Sequence, residues 1–184
     1  MLIPIAPPAF DVTLDIVYAT AANLTGRPVY RRAAAFLHAD AAAALGRAAA
    51  LASSAGLGLR LYDAFRPVEA QWMLWHACPD PDYIADPRLG SNHSRGVAVD
   101  LTLDGPDGQP LDMGTGFDDM TALSHHGRTD LPAAVVRNRA LLAGLMAASG
   151  FEPYAFEWWH YQLPKPERYP LLTDRAAGTT LVDP

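Results

Sequence analysis

Hydrophobic positions along the chain follow two periods, and the changes from one to the other outline the fold. Val97, Val99, Leu101 and Leu103 alternate with Ala98, Asp100 and Thr102. That period of two predicts a half-buried strand with Asp100 on its less apolar face. Leu57, Leu59 and Leu61 alternate likewise into Tyr62-Asp63-Ala64-Phe65 and predict another strand. Looser alternation predicts a first strand over 11–18 (Val12, Leu14, Ile16, Tyr18) and a last one around Trp158 to Leu163. Helical stretches lie between. An alanine-rich run is capped by Asp40 and stopped at Gly56, and its small side chains predict close packing on a sheet. Pro67 suits the first turn of a helix running to about Cys78. Asp130 and Pro132 start a third, with Val135, Leu142, Leu145 and Met146 toward the core and Gly150 as its stop. Residues 1–10 are proline-rich and expected to run extended over the surface. Segments 79–90 and 113–128 read as loops and 104–108 as a hairpin turn, while the tail from Ala176 carries no readable pattern.

Composition narrows the class. A chain of 184 residues, 50% hydrophobic and 18% charged, without repeats or a visible boundary, is expected to fold as one globular domain, 1–184. The formal charge of −6 and the lack of a basic run argue against a nucleic-acid partner. Cys78 stands alone, which excludes an internal disulfide and fits a reducing compartment. No segment approaches the roughly 20 apolar residues that cross a bilayer. The opening MLIPIAPPAFDVTLD has no basic region leading into a long apolar run. The expectation is a soluble, cytoplasmic protein with no membrane partner; the oligomeric state leaves no signal.

Two separated groups carry candidate chemistry. His93 and Asp100 flank Gly96, where the chain can turn without a Cβ clash, and Glu157 and His160 lie far downstream. Singly, these residues fit a capping histidine, a turn aspartate and a buried aromatic strand. Together they supply two imidazoles and one carboxylate, a ligand set for a zinc ion with an open fourth position, and a spare glutamate. Glu157 and His160 are three apart, on opposite faces of any regular strand, so both reach one metal only if Glu157 sits in a bend before the strand; Pro153 favours such an entry. Zinc would bring the acidity of water toward neutral pH, Glu157 would take its proton, and Arg66, at a strand-to-helix corner, would steady an oxyanion. The plainer reading of Arg66 is a surface salt bridge.

These segments also resemble a known family. SNHSRGVAVD and EWWHY are similar to the two metal motifs of the zinc D-alanyl-D-alanine peptidases. YDAFRP resembles the arginine motif of their dipeptidase branch, which includes enzymes of vancomycin resistance. VYATAANLTGRPVY resembles that branch's N-terminal substrate region, and DMGTGFDDM with the nearby SHH its substrate-ammonium region. The likeness runs from about Asp11 to Tyr169. It implies an α+β fold, an antiparallel sheet backed by helices of the zinc D-Ala-D-Ala peptidase/hedgehog-like type, with one zinc ion per chain. It implies His93, Asp100 and His160 as zinc ligands, Glu157 as base and Arg66 as transition-state stabiliser. Asp118 would receive the dipeptide's ammonium, while Ser91 and Tyr18 line the pocket and Tyr30 touches the substrate carboxylate. The short Cys78–Ser91 connection is more like dipeptidases that recycle wall-derived D-alanine than like the resistance enzymes.

The function expected is therefore zinc-dependent hydrolysis of D-alanyl-D-alanine to two D-alanines, with a small dipeptide as partner. The rivals are a zinc D,D-carboxypeptidase acting on longer wall peptides and a non-catalytic, zinc-stabilised binding module. Against the module, a structural zinc needs neither a base nor an oxyanion donor. His125 and His126 have too few ligands beside them for a second metal and are expected in loop or supporting roles.

Overall fold

The structure is a computed structural model describing residues 1–182; Asp183 and Pro184, the end of the expected domain, lie outside the described residues. Its architecture is α+β, as expected. A five-stranded sheet carries β2 (Thr13–Leu14), β4 (Gly58–Asp63), β5 (Ala98–Asp104), β7 (His160–Gln162) and β6 (Glu152–Pro153), in that order. All neighbours are antiparallel except β2 and β4. A separate antiparallel pair joins β1 (Leu2–Ile5) to β3 (Ala35–His38). The helices are α1 (Ala39–Ser54), α2 (Val68–Ala77), α3 (Ala133–Ala148) and the short α4 (Asp174–Ala177). No helix is long and apolar enough to cross a membrane among these residues.

The core forms where the small residues let it. Ala41, Ala44, Leu45, Ala48 and Ala52 of α1 are fully buried with Leu142 and Met146 of α3 and with Val99, Leu101 and Leu103 of β5. This leaves the Asp100 side of β5 for the site. That side is not half-exposed as the alternation suggested: all seven β5 residues are buried, because neighbouring loops cover the second face. A register shift between Leu61 and Asp63 puts Asp63 opposite Asp100 although Leu61 lies opposite Leu101. One extra residue, Tyr62, thus carries Asp63 off the leucine face and onto the polar one.

Several boundaries differ from expectation. His38, not Asp40, caps α1, its ring accepting from the Asp40 N–H. The segment 11–18 pairs only at Thr13–Leu14; Val17–Ala19 then forms a 3-10 turn, and the Tyr18 carbonyl accepts from the N–H groups of Val29 and Tyr30. Residues 1–10 are not merely draped outside, since β1 pairs with β3 and Ile5 is buried. The last strand is shorter, His160–Gln162, and gains an unforeseen partner in β6. The tail is anchored: the Asp174 carboxylate accepts from Leu181 N–H, Val182 N–H and the Thr179 hydroxyl.

Candidate active site

Three strands lay the site out in register. Asp100 stands opposite Asp63 on one side and opposite His160 on the other. His93 arrives from the turn before β5, which Gly96 closes at φ 68°. The left-handed backbone favours glycine here, and a Cβ would also crowd the His38 backbone nitrogen at 3.2 Å. The donor atoms converge. His93 Nε2 is 3.1 Å from His160 Nδ1 and 3.3 Å from Asp100 Oδ2, and His160 Nδ1 is 3.0 Å from Asp100 Oδ1. Among the described residues these three form a cluster able to hold a metal ion. Ligands about 2.0–2.1 Å from a tetrahedral zinc lie about 3.3 Å apart, so the spacing fits one. His93 is also oriented for ligation, since its Nδ1–H donates to the Ala64 carbonyl at 2.7 Å and leaves the Nε2 lone pair for the cluster.

Glu157 lies in the turn that precedes β7, with Oε2 at 3.8 Å from His160 Nδ1. That turn is the bend which two residues three apart require. Burial pushes the Glu157 carboxyl up to about 8, against the pull of His160 and with the repulsion of Asp100. Asp100 goes the other way. Burial would raise it, but His93 and His160 outweigh that and hold it far below the ordinary carboxylate range.

Arg66 sits between β4 and α2 and is buried, not at the surface. Its Nε donates to Asp63 Oδ2 at 2.8 Å and its Nη1 to Gln71 Oε1 at 3.1 Å, while Nη2 lies 3.5 Å from Asp100 Oδ2. The guanidinium also lies over the Tyr18 ring, 4.9 Å from its centre. Tyr18 in turn donates to Asp118 Oδ2 at 2.9 Å. Asp118 is a non-glycine residue with left-handed backbone, φ 59°. Burial, reinforced by Asp100 and Asp63, carries it up to about 7.

The three donors, Glu157, Arg66, Tyr18 and Asp118 line one cleft of about 160 Å³, with Ser91, Trp159, Tyr83 and Tyr154. That is small beside the roughly 300–1,000 Å³ of pockets for drug-sized ligands. Tyr154 lies 3.5 Å from the Asp82 carbonyl, at the outer limit of a hydrogen bond, and the 79–90 loop borders the cleft through Pro81, Tyr83 and Ile84. Tyr30 does not reach the cleft: its hydroxyl donates to Asp63 Oδ1 at 2.8 Å, behind Arg66. His125 and His126 do not line the cleft either: they pack on Phe156 and Tyr161, and His126 also bonds to the Glu157 main chain behind it. Asp63, Gln71, Asn92, Tyr154 and Gln162 were not singled out from the sequence. Of these, Asp63 lies inside the YDAFRP motif and Asn92 inside SNHSRGVAVD, while Gln71, Tyr154 and Gln162 had no signal.

A mostly antiparallel sheet with helices on one face and this donor-lined cleft on the other is the frame of an α+β peptidase. The chain belongs to the D-Ala-D-Ala dipeptidase family, whose profile, described as D-ala-D-ala dipeptidase, matches residues 2–176. It is 48% identical over 165 residues to the D-alanyl-D-alanine dipeptidase of Escherichia coli K12, covering 90% of this chain and 86% of that protein. Against the D-alanyl-D-alanine dipeptidase of Streptomyces coelicolor the identity is 40% over 179 residues, covering 84% and 89%. Against that of Enterococcus faecium it is 37% over 180 residues, covering 86% and 89%.

Proposed function

We propose that the protein hydrolyses D-alanyl-D-alanine to two D-alanines with one zinc ion held by His93, Asp100 and His160. The observation that carries this reading is the pairing, in one small cleft, of a three-donor metal cluster with a half-buried carboxylate, Asp118, that accepts from a neutral hydroxyl and forms no close ion pair among the described residues. The first suits amide hydrolysis; the second suits the free ammonium of a dipeptide.

When bound, zinc supplies Lewis acidity, polarising a carbonyl and making water a nucleophile near neutral pH. The remaining steps fall to side chains. Asp118, steadied by the Tyr18 hydroxyl, pairs with the substrate ammonium and sets the scissile bond at a fixed distance from the triad. Glu157 takes the proton of the attacking water and gives it to the departing amine. Its carboxyl is held neutral by burial, and the positive charge of an ion at the triad restores the carboxylate it needs. Arg66, locked by Asp63 and Gln71, meets the negative charge that develops on the carbonyl oxygen. Ser91 and Trp159 wall the cleft.

The test is D-alanine release from D-alanyl-D-alanine by the purified protein, with a chelator and after zinc is restored. Two D-alanines per dipeptide, lost on chelation and recovered with zinc, are expected. A full zinc complement without turnover would make the metal structural.

A further inference from the structure

His160 faces the cluster through Nδ1, the ring nitrogen nearer its own backbone. A neutral imidazole carries one proton, on either nitrogen, so Nδ1 offers a lone pair only when the hydrogen resides on Nε2. Nothing in the triad enforces that choice. On the far side of the ring, Nε2 lies 3.2 Å from Gln162 Oε1. The same oxygen accepts a hydrogen bond from Asn92 Nδ2 at 2.7 Å.

An amide oxygen can only accept. Rotating the Gln162 amide by half a turn would set its NH2 against that of Asn92, donor facing donor. With both amides as they stand, Asn92 holds the Gln162 oxygen toward the ring, and that oxygen requires a hydrogen on Nε2. We infer that Gln162, held by Asn92, is a positioning residue that keeps His160 in the tautomer whose Nδ1 can bind the metal ion. The inference rests on the triad reading of the proposed function.

The placement has a simple origin. Gln162 is two residues after His160 on β7 and so shares its face, opposite the small Ala98. Asn92 directly precedes His93, so one turn supplies the first imidazole and locks the second. The two ligands differ in this respect. His93 is oriented by a main-chain carbonyl, which no substitution removes, whereas His160 depends on two side chains. Partners of this kind typically change metal affinity by about 10–100-fold when lost.

The experiment is zinc affinity of metal-stripped protein, read by competition with a chromophoric chelator, on wild type, His160→Ala, Gln162→Met, Gln162→Glu and Asn92→Ala. Wild type is expected to bind one equivalent and His160→Ala to lose it. Gln162→Met should bind one equivalent about tenfold more weakly, with Asn92→Ala weakened in the same direction and serving if the methionine variant does not fold. Gln162→Glu, whose carboxylate accepts the same hydrogen, should stay close to wild type. Zinc retained in full by His160→Ala would overturn the triad reading itself. With the triad upheld, wild-type affinity in Gln162→Met, or equal weakening in Gln162→Glu, would overturn the tautomer role.

Discussion

Asp100 and Asp118 are carboxylates of one cleft in opposite circumstances. Asp100 is buried, yet His93 and His160 stand within 3.0–3.3 Å and hold it ionised. Asp118 accepts a hydrogen bond from a neutral hydroxyl, that of Tyr18, and burial lifts it to about 7 against the pull of Arg66. The chain gives one carboxylate two imidazoles at close range and the other a single hydroxyl, with the Arg66 charge farther off. An incomplete charge balance in a closed cleft marks the place where a ligand's charge belongs. On this account the metal end is assembled by the fold, and the ammonium end is completed only by substrate.

The largest effect expected is at the assembled end. Because the three donors come from two distant segments, His93→Ala, Asp100→Ala and His160→Ala should each drop bound zinc well below one per chain and abolish turnover. Metal analysis by mass spectrometry checks it, and full occupancy in any one of them removes that residue from the set. Next come the groups that act on the reaction without holding the ion. Glu157→Gln should keep zinc while kcat falls by about 10²–10⁴. Arg66→Ala should lower kcat by about 10²–10³ with little change in KM. A change confined to KM would assign Arg66 to ground-state binding instead.

A smaller effect, of pH, sharpens the comparison from the other end. With its value raised to about 7, Asp118 is protonated below that pH and cannot pair with an ammonium. Positive charge at the triad draws the value down, so kcat/KM for the free dipeptide should fall with acid from about 7 or below, tending to tenfold per unit. Asp118→Asn should lose that acid arm while keeping any arm due to the triad. An unaltered profile would place the titration elsewhere.

The His93–Asp100–His160 cluster was legible because its motifs carry both residue type and spacing, and the alternation around Asp100 correctly put it off the leucine face. The α+β class and the long helices were legible for the same reason. Periodicity could not show that loops bury the second face of β5, since burial by a distant loop leaves no trace in a strand's own alternation. Nor could it show the irregularity at Tyr62, which sets Asp63 beside Asp100. Gln162 and Asn92 escaped notice because a neutral amide has no signature until its partner's ring is in place. Pro4 and its neighbours read as surface chain, yet β1 finds β3 across some thirty residues.

The measurement that bears most directly on the account is kcat/KM for D-alanyl-D-alanine and for N-acetyl-D-alanyl-D-alanine, on wild type and on Asp118→Ala. The acetylated substrate brings no cation and leaves the half-buried Asp118 carboxylate unmatched, a loss of about 1.5–3 kcal/mol or roughly ten- to a hundredfold. The account predicts that wild type cleaves the free dipeptide faster by at least that ratio, and that Asp118→Ala narrows the gap chiefly by losing activity on the free one. Equal rates for the two substrates on wild type would contradict it and point to a carboxypeptidase.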